Sequence, residues 1–135
     1  MAAGGGTHTA IRVSGTTQYP AGLTSNYNVL YATGTDGVIG EFNSLLYTTL
    51  PQWRTATGED MISISADPKF INPAGTAATV DLHLQTATST VCEGKGLTCL
   101  PVTLHYDGPT RSSLTPVDIG AHAGPFDNPL LPLLH

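Results

Sequence analysis

The chain has 135 residues and a net charge of −5, with 40% hydrophobic and only 11% charged residues. That balance is too apolar and too weakly charged for a disordered chain. The five cations, Arg12, Arg54, Lys69, Lys95 and Arg111, are too scattered for a nucleic-acid backbone or an anionic membrane surface. Fifteen Gly and ten Pro exclude a helical bundle, and no apolar run reaches helix-spanning length, so membrane insertion is not expected.

Residues 1–10 read as a flexible, Ala/Gly-rich start without the charged and apolar regions of an export signal. Residues 9–14 alternate, with Ile11 and Val13 on one face and Arg12 on the other, and predict a strand. Pro20 sits in a turn-rich connection over 15–22. Residues 25–32 predict a second strand with Tyr27, Val29 and Tyr31 on one face, about one solenoid coil beyond the first. Residues 34–37 form a turn, and Val38 to Phe42 a short strand.

Residues 49–58 are the one good helix. Thr49 and Gln52 have capping-box spacing, Pro51 lies in the first turn and Gly58 closes the C-terminus. Leu50, Trp53 and Ala56 face inward, with Trp53 as the packing anchor.

Residues 61–66 alternate, with Ile62, Ile64 and Ala66 on one side. Asp67-Pro68 turns the chain, and Phe70 and Ile71 return to the core. Residues 79–84 alternate again, bringing Val80, Leu82 and Leu84 together and leaving His83 toward solvent. Residues 100–106 place Val102, Leu104 and Tyr106 on one face, with His105 turned out. If those two strands pair, His83 and His105 approach each other. Residues 116–122 form a last extended segment. Residues 124–135 are a Pro/Leu-rich tail whose four leucines are apolar enough to cover an open face or a neighbouring subunit. One domain is expected over 11–123.

Cys92 and Cys99 flank a Gly-containing loop, VCEGKGLTC. The spacing is not CxxC, and a metal would need two further ligands. A small loop disulfide is expected in an oxidising compartment; two reduced, semi-buried thiols are the alternative.

The ordered set SNYNVLY, TTLPQWRTATGED, ISADPKFINPAG, DLHLQ and PVDIGAH resembles the C-terminal portion of right-handed parallel β-helix repeat proteins. The matching residues are Asn26-Tyr27-Asn28, Leu50, Trp53, Thr57-Gly58, Asp60, Ser65, Asp67-Pro68, Phe70, Leu82, Leu84-Gln85 and Asp118-Ile119-Gly120-Ala121. They cover about residues 20–123. Residues 86–91 and the cysteine loop replace the segment that usually follows Gln85, and the regular upstream coils are not present.

The resemblance implies an all-β fold, a short right-handed parallel β-helix end-piece with a capping helix over 49–58. It implies a secreted or cell-surface parent protein in which this chain is a non-catalytic structural or interaction module. Its partners would be upstream coils or a second copy, recruited by an open strand edge into a homo-oligomer. The other readings are a carbohydrate-binding module, with Trp53, Tyr27, Tyr31 and Tyr47 as stacking platforms for a glycan, and a remnant of a polysaccharide-degrading enzyme. Asp60, Asp67 and Asp118 read first as turn and packing residues. A Ca²⁺ site built on them is the sharper alternative, although no DxDxDG pattern is present. No catalytic motif is recognisable.

Overall fold

The computed structural model describes residues 6–15, 17–98, 102–108, 110–111 and 117–124. They form two small sheets and one short helix, in the order β1 (His8–Val13), β2 (Gly37–Phe42), β3 (Leu45–Tyr47), α1 (Leu50–Thr57), β4 (Phe70–Asn72) and β5 (Asp81–Leu84). The all-β reading with one short helix therefore stands. Stacked solenoid coils are not seen among the described residues. The chain divides into two compact units, Met1–Ala66 and Asp67–His135, where the sequence reads as one domain. The division falls between Ala66 and Asp67, next to Pro68, where a turn is expected; the structure shows a bend at Ala66 and no turn over 67–69.

In the first unit β2 is the central strand, between β1 and β3. β1 runs parallel to it, His8 opposite Gly37 and Val13 opposite Phe42. β3 returns antiparallel, Phe42 opposite Leu45, through Asn43 and Ser44 at φ 52° and 58°. Two left-handed residues in succession match the twist of the paired strands, which is why a two-residue hairpin forms here. Val38, Ile39, Gly40 and Phe42 of β2 are buried. Leu30, Ile39, Phe42, Leu50 and Trp53 make the core, with Ile11, Val13, Tyr19 and Tyr47 packed against it.

Helix α1 forms as its sequence predicts. The Thr49 hydroxyl accepts the Gln52 N–H at 3.4 Å, and the Gln52 side chain accepts the Thr49 N–H at 3.2 Å. Gly58, at φ 75°, ends the helix and donates its N–H to the Arg54 carbonyl. The helix buries Leu50 and Trp53, while Ala56 is half-buried. Trp53 lies flat enough on β2 that a Cβ at Gly40 would run into its six-membered ring. The absence of a side chain there makes room for the indole.

Two expected strands of this unit are not strands. Of residues 25–32 and 61–66, only Val29 and Ile64 pair, in one isolated parallel bridge. The expected burial over 61–66 is reversed at one pair of positions: Ile62 is 54% exposed and Ser63 only 3%, while Ile64 and Ala66 are half-buried. The reason is polar. Ser63 is drawn inward by Asp60, as described below.

In the second unit β4 and β5 pair antiparallel, Phe70 opposite Leu84 and Asn72 opposite Asp81, with an irregular register between. Leu84, Cys92, Ile119 and Ala123 are its buried apolar residues, beside buried Thr90 and Asp118. Of the expected Val80–Leu82–Leu84 face, only Leu84 is buried; Val80 and Leu82 are exposed, as is Ile71. Among the described residues of 100–106, an isolated antiparallel bridge joins Leu104 to Thr110, and Val102, Leu104 and Tyr106 are exposed. The described part of 116–122 forms no strand. Residues 1–5, Cys99, Leu100 and 125–135 lie outside the described residues. Cys92 carries a buried free thiol, and burial pushes its pKa up.

Candidate functional site

Asp60 is the polar centre of the first unit and is fully buried. Its backbone sits at φ 58°, which an aspartate tolerates better than most residues. One carboxylate oxygen, Oδ2, accepts the Trp53 indole N–H at 2.8 Å. The other, Oδ1, accepts the Ser63 hydroxyl at 2.6 Å, the Asn28 amide at 2.9 Å and the Ser25 hydroxyl at 3.1 Å. Burial alone would raise its pKa, but the hydrogen bonds from Ser63, Asn28, Trp53 and Ser25 outweigh it and hold the carboxyl below the ordinary value. Arg54 adds a clasp, donating to the Asp60 carbonyl at 2.8 Å and the Ser63 carbonyl at 2.6 Å. The segments around Ser25–Leu30 and Asp60–Ile64 are thus laced together largely by side chains.

The other two aspartates of the proposed Ca²⁺ set also serve the backbone. Asp118 is buried and accepts the Gly94 and Gly124 N–H groups at 2.8 and 3.1 Å. Asp67 accepts the Lys69 N–H at 2.9 Å and pairs with its ammonium at 3.0 Å. These bonds to Lys69 hold the Asp67 carboxyl below its ordinary pKa. Among the described residues, no group of three or more His, Cys, Asp or Glu side chains is placed to hold a metal ion.

Trp53 leaves the stacking set, because it is 0% exposed and a sugar needs an open ring face. Its edges meet Tyr19 and Tyr47, with ring centroids 6.4 and 5.9 Å away. Tyr47 is accordingly half-buried, as is Tyr27 at φ 56°. Only Tyr31 of the four candidates is exposed.

The second unit holds a cluster that the sequence suggests only in part. His83 on β5 lies between two carboxylates. Its Nδ1 is 2.5 Å from Asp81 Oδ1 and its Nε2 3.2 Å from Asp107 Oδ1. The other oxygen of Asp107 is 3.6 Å from His122 Nε2 and 3.8 Å from His105 Nδ1. His122 Nδ1 accepts the Leu84 N–H at 2.9 Å. With that nitrogen accepting, the neutral ring carries its proton on Nε2, toward Asp107. His105, expected to be solvated, has a side chain only 8% exposed.

The electrostatics divide these imidazoles. Hydrogen bonds to Asp81 and then Asp107 raise the His83 pKa. Burial, then the neighbouring His83, lowers that of His122. The bonds to His83 hold Asp81 below its ordinary value. The set favours a proton on His83 and disfavours one on His122.

Beside it opens a cleft of about 670 Å³ lined by Val80, Asp81, Leu82, His83, Tyr106 and His122, among others. Tyr106 forms its exposed wall and meets His83 edge-on at 5.6 Å. A smaller cleft of about 340 Å³, lined by Leu97, Val102 and Leu104, shares Tyr106 and Ala121 with it. A local signal for the cluster exists. Asp81-Leu-His83 and His105-Tyr-Asp107 each set a carboxylate and an imidazole two residues apart, the first pair on strand β5 and the second in a turn. No family model matches this chain, and no curated protein or solved structure matches it.

Proposed function

We propose that the chain is a non-catalytic interaction module, the end of a parallel β stack in a secreted or surface protein, with β1 as the edge that receives a further strand. The observation that carries this reading is the parallel pairing of β1 with β2 across an interval of 29 residues, from His8 to Gly37. The parallel bridge from Val29 to Ile64 repeats the device across 35 residues. Parallel neighbours need a crossover connection of this kind, and a solenoid uses one in every coil.

The His8 N–H donates to Asp36 on the β2 side. Backbone groups alternate along a strand, so those of Thr9, Ile11 and Val13 turn to the outer edge. An open edge of this kind is a template for strand addition. Light scattering on the whole chain should show association that grows with concentration. Thr9→Pro, which removes one outward donor at the start of the strand, should weaken it. A wild-type chain that stays monomeric at high concentration would remove the reading.

A second reading rests on Tyr106, which is 76% exposed on the wall of the larger cleft. An open aromatic face beside carboxylate and imidazole groups suits a sugar ring. A glycan array should then show binding that Tyr106→Ala abolishes, and no binding to any glycan disposes of it.

A further inference from the structure

We propose that His122 is an acid-sensitive latch: uncharged, it holds the 117–124 segment to the end of β5 through the Leu84 N–H, and on protonation it releases that segment. The geometry makes the bond and the proton mutually exclusive. The Leu84 N–H points at His122 Nδ1 from 2.9 Å, so a proton placed on that nitrogen sets two donors against each other. Leu84 is 3% exposed, so water is poorly placed to take over the abandoned N–H.

The groups facing His122 set the pH at which this happens. From β5, His83 stands at 4.9 Å between ring centroids, and its own proton repels a second one. From the 105–107 turn come His105, at 6.0 Å, and Asp107, whose carboxylate favours the charged ring. Asp118, on the same segment as His122, also favours it, and burial opposes it. Asp81 is matched to His83. Burial and the His83 charge act in the same direction, so the latch stays closed at neutral pH and opens on acidification below the ordinary imidazole range. The segment has other holds: Ala121 accepts the Tyr106 N–H, and Ile119 donates to the Cys92 carbonyl. The release is therefore local to its Leu84 contact.

The experiment is amide hydrogen exchange at Leu84 in the whole chain, corrected for intrinsic rates, between about pH 7.5 and about pH 5, where imidazoles titrate. Protection at Leu84 should fall at least about fivefold on acidification, the equivalent of one net hydrogen bond. In His122→Asn the amide oxygen stands near the place of Nδ1 and does not titrate, so protection there should not change with pH. Trp53 emission should stay constant throughout, since that ring belongs to the first unit. Undiminished protection through the titration of His122 would overturn the proposal, as would an equal loss in His122→Asn. If that variant does not fold, ¹⁵N imidazole spectra of the wild-type chain decide. A neutral His122 protonated on Nε2, with the Leu84 amide shift tracking its titration, sustains the latch; an Nδ1–H tautomer, or a Leu84 shift that follows another imidazole, overturns it.

Discussion

At the scale of single residues, Asp60 carries more than any other side chain in the first unit. Four side-chain donors end on its carboxylate, in a site closed to water. Asp60→Ala leaves those donors unsatisfied and should destabilise the unit by about 3 kcal/mol or more, read as a shift in the denaturation midpoint of Trp53 emission. Tyr19 is the opposite case. Its hydroxyl is buried and finds no hydrogen-bond partner among the described residues, and burial, then Glu59 and Asp60, pushes its pKa up. Tyr19→Phe removes an unpaid desolvation and keeps the edge contacts of the ring with Phe42 and Trp53. It should raise stability by about 1 kcal/mol, measured on the same denaturation curve.

At the scale of elements, α1 was legible because every signal for it is local: cap, first-turn proline and closing glycine lie within ten residues of one another. β1 is legible from alternation and β2 as a short apolar run after a glycine turn, although their pairing is not. The segments 25–32 and 61–66 have equally good alternation and form no strand, because Asp60 recruits Ser25, Asn28 and Ser63 from across the fold. Apolar periodicity carries no record of a buried polar hub. Of the histidine cluster the sequence suggests only an approach of His83 to His105; the carboxylates that hold the rings are not legible, since the bond that links the two segments joins residues 24 apart. Trp53 is the packing anchor that its place in the helix predicts, and its seat on β2 gives a prediction for that element. Gly40→Ala drives a methyl group into the indole and should destabilise the unit by about 1–3 kcal/mol, as overpacking does. The reading fails if the variant unfolds at the wild-type denaturant midpoint.

At the scale of the whole molecule, the two units should answer pH differently. The raised His83 pKa contributes stability that is fully present below the unfolded value of 6.5 and is lost as pH rises through the folded value. The lowered His122 pKa works the other way: stability is kept above 6.5 and lost as pH falls through the folded value. The second unit should therefore be most stable near pH 6.5. The Asp60 carboxyl sits below the ordinary 3.8, so its contribution persists until pH falls through that lower value. Hydrogen exchange resolved by unit should show the second unit loosening in mild acid while the first still holds; simultaneous loosening would contradict it. The parallel pairings have a kinetic consequence as well. His8 meets Gly37 and Val29 meets Ile64 only after long stretches of chain have looped back. The ordering entropy of those loops comes before the contacts that offset it. The capped helix and the two-residue β2–β3 hairpin are free to form early, while the parallel partner of β2 arrives late, so the nascent chain spends its most exposed interval with β1 still unmated.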